Sequence, residues 1–381
     1  MLLLKNAQTY QEHRFSKKDI LIKDGKIEAV TACGVLDAQG CNEVIDCEGK
    51  KAVPGFIDIH THGGAGVDVN GATAEGYENI SRFFASQGTT SFLISILTDT
   101  PEQTLWCIRE YKKWKKMEHK GAKIAGIHLE GPFLASAYKG AMPEHLLKKS
   151  PDIELLRSYQ EAAGGDIRYI TVAPELAGMP EFIPELKRLG MQVAIGHSGA
   201  DYETAVRAIE NGAHAGTHVG NAMKLMHQHF PAIFGALLES DKAYCEVICD
   251  GRHLHPGTVR IILKAKGTER VVAVTDSIMA AGLPDGEYKL GVNDVVVEDG
   301  DAKLKSDGTR AGSTLTTIQA YRNLLRFTGR TEEEILPLLT ENPAVLIGLD
   351  DEIGSIEKGK SADILLLDEQ NNIDRVIIAG R

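Results

Sequence analysis

A (β/α)8 barrel carrying a small β-sandwich made from both chain ends is the fold class that three features of this sequence predict. Eight apolar runs of strand length recur through the middle of the chain, amphipathic helix-like stretches separate them, and β-like segments with turn residues occupy both ends. Alternating strands and helices imply a parallel sheet with crossover helices, and eight repeats is the number that closes into a barrel.

In chain order, residues 1–53 read as short strands. Within Asp19-Ile-Leu-Ile-Lys-Asp-Gly-Lys-Ile-Glu-Ala-Val, the Asp24-Gly25 pair between apolar runs is a hairpin signature. The far end has the same character at Ala362–Leu367 and Arg375–Ala379, so one β unit is expected from residues 1–53 plus 346–381, leaving 54–345 for the barrel. The barrel strands are predicted at Phe56–His60, Thr90–Ser95, Ile124–Glu130, Ile167–Ala173, Gln192–His197, Ala213–His218, Cys245–Cys249 and Val271–Asp276. Their near-continuous apolar character suits a sheet covered by helices, such as those predicted over Thr100–Glu118, Asp201–Asn211 and Pro256–Lys266. A doubly wound open sheet is the competing architecture, but the glycine-rich phosphate loop expected after an early strand is missing.

Bulk composition narrows the function classes. Hydrophobic residues make up 43% and charged residues 25%, a soluble globular balance, and the net charge of −11 argues against nucleic-acid and membrane-surface roles. No apolar run approaches a membrane span, and the N-terminus lacks a signal-peptide cleavage site. The six cysteines form no C-x-x-C pair, so reduced thiols and a cytoplasmic location are expected.

Several strands end on groups that bind metals or protons. In a barrel the C-terminal strand ends form the active site, so residues far apart in sequence converge there. His60 and His62 are two apart on a strand and project to one side, half of a zinc-type site. Glu130 is a carboxylate able to bridge metals. His128 shares its parity and reads as a supporting or core histidine. His197 ends the fifth run. Either His214 or His218 can ligate, with His218 preferred because Asn221-Ala222-Met223 follows it toward the same rim. Asp276 closes the eighth run, where a carboxylate can take a proton from water and return it to a leaving amine. After the seventh run, His253 is the candidate substrate contact, and His255, before Pro256, a helix-start residue. No G-x-S-x-G or activated cysteine offers a rival nucleophile.

Pro54-Gly-Phe-Ile-Asp-Ile-His-Thr-His-Gly resembles the first-strand signature of the amidohydrolase superfamily. His128-Leu-Glu-Gly-Pro-Phe, Gly196-His-Ser, Thr217-His-Val-Gly-Asn-Ala-Met, Asp250-Gly-Arg-His and Val274-Thr-Asp-Ser together resemble the N-acetylglucosamine-6-phosphate deacetylase family, as do Gly282-Leu-Pro-Asp-Gly-Glu-Tyr, Ala311-Gly-Ser-Thr-Leu and the ending from Gly354. The motifs run in order along nearly the whole chain. The resemblance implies a barrel with a small β-sandwich, a homodimer, and hydrolysis of the N-acetyl group of an amino-sugar phosphate. It implies a divalent metal such as Zn2+, one or two per subunit, on Glu130, His197 and His218 with a second position at His60 and His62. It further implies Asp276 as acid/base, with His253, Asn221 and Ala222 on the substrate.

Two positions depart from that pattern. His229, within Lys224-Leu-Met-His-Gln-His-Phe, stands where the family has an arginine that reaches the phosphate of the neighbouring subunit's substrate, with Lys224 or His227 as the residues that could compensate. Histidine lacks the arginine's bidentate fork. Met142 stands where the family often has a polar residue near the acetyl carbonyl, and methionine cannot donate a hydrogen bond. The departures leave three alternatives open: another amino sugar such as N-acetylgalactosamine 6-phosphate, an unphosphorylated sugar, and a non-catalytic sugar-binding relative. A dihydroorotase-type hydrolase would use a bridging lysine where this chain has Glu130.

Overall fold

A computed structural model describes residues 1–381. Eight parallel strands follow one another in chain order around the central sheet: Phe56–Asp58, Thr89–Leu97, Lys123–Glu130, Ile167–Val172, Gln192–Ile195, Ala215–Gly216, Tyr244–Ile248 and Val271–Val274. This is the expected (β/α)8 barrel. The ring closes just past the first and last strands. His62 N donates to Ser277 O (2.7 Å), Asp276 N to His60 O (2.9 Å), and Thr275 Oγ1 to buried Asp58 Oδ2 (2.5 Å).

Four expected strands end two residues earlier than their apolar runs suggested, and two others, at Val172 and Ile248, one residue earlier. The four ladders stop at Asp58, Ile195, Gly216 and Val274, so His60, His197, His218 and Asp276 lie beyond them. At three of these the backbone turns left-handed, with φ of 47° at His197, 29° at His218 and 49° at Asp276. Non-glycine residues rarely hold such angles, and they do so where surrounding structure fixes them.

The crossover helices start where the sequence provides caps. Thr100 accepts from Gln103 N ahead of Pro101–Trp114, with Pro101 in the first turn, and Asp201 accepts from Thr204 N ahead of Tyr202–Glu210. Their apolar faces join the strands in one large core that includes Phe56, Phe92, Tyr169, Ile195, Val247 and Tyr321.

Both chain ends weave a second sheet of seven strands, ordered Ile373–Ile377, Ile364–Leu367, Lys51–Pro54, Leu2–Gln11, Arg14–Lys23 and Lys26–Ala32, with Glu43–Asp46 also pairing Leu2–Gln11. Leu4, Ile20, Ile22, Ile364 and Leu366 lie in its separate core. The Asp24-Gly25 turn has φ of 50° and 78°, both positive as a two-residue hairpin loop requires. A third sheet, antiparallel over Gly286–Leu290, Asn293–Glu298 and Asp301–Leu304, was not anticipated; it packs Leu290, Val295 and Val297 against Leu97, Leu134 and Met142 beside the barrel mouth. No helix is long and apolar enough to cross a membrane.

Candidate active site

The metal-type side chains meet at the C-terminal mouth of the barrel, and three of the four imidazoles are held through the far nitrogen, while the buried His218 Nδ1 has no partner. His60 Nδ1 is 3.1 Å from Glu246 Oε2, His62 Nδ1 is 3.0 Å from Ser95 O, and His197 Nδ1 is 2.8 Å from Tyr138 O. An Nδ1–H donated to these acceptors leaves Nε2 of each ring as a lone pair. Those lone pairs converge. His197 Nε2 and His218 Nε2 lie 3.1 Å apart, with Glu130 Oε1 at 3.1 and 3.2 Å from them. His60 Nε2 and His62 Nε2 are 3.2 Å apart, with Asp276 Oδ1 at 3.6 and 3.2 Å. The other Glu130 oxygen, Oε2, lies 3.1 Å from His62 Nε2, so this one carboxylate faces both groups.

These are the two sets able to hold a metal ion: Glu130 with His197 and His218, and His60 with His62 and Asp276, all buried. Their dimensions suit such an ion, since tetrahedral ligands at zinc bond lengths are spaced about 3.3 Å apart. Their electrostatics suit it too. Burial lowers the basicity of His60 and His62, but the surrounding carboxylates of Glu130, Glu246 and Asp276 outweigh it and raise both, His62 to about 9. Burial pushes Glu130 and Asp276 up, yet the imidazoles hold both carboxyls below their ordinary range. The site draws in positive charge.

Further sequence candidates line the same cavity of about 290 Å³, among them His253, Asn221 and Ala222. His253 Nδ1 contacts Asp250 Oδ2 at 2.6 Å, and the Asp250 carboxylate also accepts from the His253 and Arg252 N–H groups. Asn221 Nδ2 donates to His218 O (3.1 Å), and Ala222 holds φ of 45°. Met142 forms an apolar side of the cavity with Leu97 and Leu290. His128 is fully engaged by the Ser95 and Thr171 hydroxyls at 2.9 Å each and is a supporting residue. His214 lies at the opposite strand end, 3.1 Å from Gln192 Oε1, and His255 caps the helix Pro256–Lys266. His229 is exposed on its loop and does not line this cavity.

Residues 52–381 match the amidohydrolase family. The chain is 34% identical to an N-acetylglucosamine-6-phosphate deacetylase of Lysinibacillus sphaericus over 97% of its length and 94% of the relative's.

This chain belongs to the amidohydrolase family.

Among amidohydrolases of known structure, the N-acetylglucosamine-6-phosphate deacetylase of Pasteurella multocida superposes with a TM-score of 0.92 at 29% identity, covering 100% of this chain and 98% of the other. An N-acetylgalactosamine-6-phosphate deacetylase of Escherichia coli O157:H7 is 31% identical over 94% of this chain and 93% of its own. The chain is thus an amide hydrolase of the deacetylase branch. The sequence reading of this amidohydrolase passed over Glu246. Its buried carboxylate accepts from Tyr169 OH (2.5 Å) and His218 N (3.1 Å) besides facing His60. The available signal was one acidic residue inside the apolar run Cys245–Cys249. Also passed over was Arg310, the one arginine or lysine in the cavity wall.

Proposed function

We propose that the enzyme hydrolyses the N-acetyl group of N-acetylglucosamine 6-phosphate, giving glucosamine 6-phosphate and acetate. The observation that carries this reading is Asp276 set 3.2 Å from His62 at the edge of a cavity where two metal-type donor sets share Glu130. The family relatives supply the substrate class.

Glu130, His197 and His218 would hold one divalent ion, and His60 with His62 offers a second position; nitrogen and carboxylate donors favour zinc. When bound, such an ion polarises the amide carbonyl and acidifies water. Asp276 is ionised at neutral pH, takes a proton from the attacking water, and returns it to the amine nitrogen as the C–N bond breaks. His253, braced by Asp250, faces the substrate together with Asn221 and Ala222. The apolar side at Leu97, Met142 and Leu290 suits the acetyl methyl, a group that asks for no hydrogen bond.

We read the functional unit as a homodimer. The loop carrying His227 and His229 exposes Leu225 (58%), Met226 (59%) and Phe230 (67%), an apolar cluster that a second copy would cover. His229 then serves the partner's substrate rather than its own.

Acetate release from N-acetylglucosamine 6-phosphate, its galacto epimer and the unphosphorylated sugars, measured with metal-replete protein, tests the assignment. The gluco phosphate is expected to be cleaved best. No acetate from any phosphorylated sugar refutes the proposal, and a clear preference for the galacto epimer or an unphosphorylated sugar transfers it to that substrate.

A further inference from the structure

Arg310 is the only fixed positive charge in the cavity wall, and its position shows how a substrate anion can be met within one subunit. It follows the strand Asp301–Leu304 and pairs back on it through the Lys303–Arg310 bridge. Asp301 braces the guanidinium from one side, with Nε to Oδ1 at 2.8 Å and Nη2 to Oδ2 at 2.9 Å. Nη1 donates to Arg252 O at 3.2 Å, the carbonyl immediately before His253. A guanidinium carries five N–H groups. Three are engaged by these bonds, which leaves two for a ligand.

The brace does not cancel the charge. Asp301 is shared, since Lys303 Nζ also lies 3.0 Å from it, so two cations surround one carboxylate. The nearby Asp250 carboxylate is committed to His253 and to backbone N–H groups. The Arg310 side chain retains 35% of its surface and shares the cavity with His253. Pinning the guanidinium in advance removes most of the side-chain ordering that anion binding would otherwise require. Within one subunit the exposed histidines at 227 and 229 offer no comparable group, because neither lines the cavity of its own chain.

We infer that Arg310, with His253 beside it, forms an anion subsite that receives the phosphate of the amino-sugar substrate from within the same subunit. The inference builds on the deacetylase reading and makes Arg310 a specificity-determining residue. A planar, preset guanidinium suits a phosphate better than the imidazole of His229, which lacks its bidentate fork.

The test compares metal-replete wild type with Arg310→Met and Arg310→Lys. Each is assayed for acetate release from N-acetylglucosamine 6-phosphate and for competitive inhibition by inorganic phosphate. Arg310→Met is expected to raise KM and the phosphate inhibition constant about tenfold or more, with a much smaller change in kcat, as loss of a charge-assisted contact predicts. Arg310→Lys keeps a cation beside Asp301 and so guards against misfolding; its KM and inhibition constant should lie between those of wild type and Arg310→Met. His229→Ala should move the phosphate constant less than Arg310→Met does.

Values within about twofold of wild type for both Arg310 variants overturn the inference. So does a fall in kcat and thermal stability with KM and the phosphate constant unmoved, which marks a structural ion pair only. Should the wild type cleave no phosphorylated sugar, the deacetylase reading fails by itself. Calorimetric binding of inorganic phosphate to wild type and Arg310→Met then still decides the subsite.

Discussion

Glu246 and His60 face each other across the barrel interior, Oε2 to Nδ1 at 3.1 Å, and this contact turns Nε2 of His60 toward His62 and Asp276. Both side chains are fully buried. A carboxylate behind a ligating histidine fixes the ring and its tautomer, and losing one typically costs about 10–100-fold in metal affinity. Glu246 also accepts from Tyr169 and from the His218 backbone, so Glu246→Gln leaves an amide N–H₂ among donors. The expected outcome is about a 10–100-fold loss of metal affinity together with a lower melting temperature, read by metal analysis after dialysis against a graded chelator series. Unchanged metal retention removes Glu246 from the site's support.

Asp276→Asn tests the proton-transfer step more directly. The amide keeps the shape and its place past the last strand, but it cannot take a proton from water. Acetate release should fall by about 10²–10⁴-fold in kcat, with metal on Glu130, His197 and His218 retained and KM little changed. Activity near wild type in metal-loaded Asp276→Asn protein eliminates Asp276 as the base.

Sequence reading reached the barrel and its cluster of candidate metal ligands because both leave local marks. Each central strand is a nearly unbroken apolar run, and His60, His197, His218 and Asp276 end theirs. The ladders in fact stop two residues earlier, at Asp58, Ile195, Gly216 and Val274. At His197, His218 and Asp276 a left-handed turn accompanies the stop, and apolar pattern carries no sign of it. Glu246 escaped for a different reason: its partners Tyr169 and His60 lie 77 and 186 residues away, so no local spacing joins them. The sheet over 286–304 was missed because one side of it meets solvent and only a few residues, such as Leu290, Val295 and Val297, are buried. Arg310 belongs to the same blind spot. Within Lys305-Ser-Asp-Gly-Thr-Arg it reads as an ordinary turn charge until the fold sets it in the cavity wall.

Gly131 links Glu130 to the next segment in a conformation that glycine alone enters easily, with φ of 97°. A Cβ there would also collide with Thr98 Oγ1, whose hydroxyl donates to Glu130 O at 2.9 Å. Gly131→Ala therefore strains the backbone by about 1–3 kcal/mol and shifts the carboxylate that both donor sets share. Denaturant titration should show the loss of stability, with activity reduced at saturating metal. A variant as stable as wild type would mean that the segment adapts without moving Thr98.

The cysteines divide sharply by burial. Cys47, Cys107, Cys245 and Cys249 are buried, and desolvation raises the first three thiols to about 11, 12 and 12. Cys33 and Cys41 are partly exposed. Because the thiolate is the reactive form, a disulfide reagent at pH 8 should label two thiols in the native protein and all six after unfolding. Rapid native labelling of more than two would reveal an opening of the core around Cys107 or Cys245.

The pairing of Asp301 with Arg310 also gives a pH signature separable from activity. The Arg310 guanidinium, then burial acting the other way, then Lys303 set the Asp301 carboxyl, and the net effect holds it far below the ordinary carboxylate range. A carboxyl depressed in the folded state stabilises the fold wherever pH exceeds its unfolded value of about 4, and the contribution disappears as pH falls through the folded value. Arg310→Met removes the main cause. Wild type should therefore melt about 1–2 °C above the variant at pH 6, and that gap should narrow steadily as pH is lowered from 4 toward 2. Differential scanning calorimetry of both proteins across that range decides it. A gap that persists unchanged to pH 2 would assign the stabilisation to packing of the arginine stem, because the advantage of a depressed carboxyl must shrink once Asp301 of the unfolded chain protonates below about pH 4.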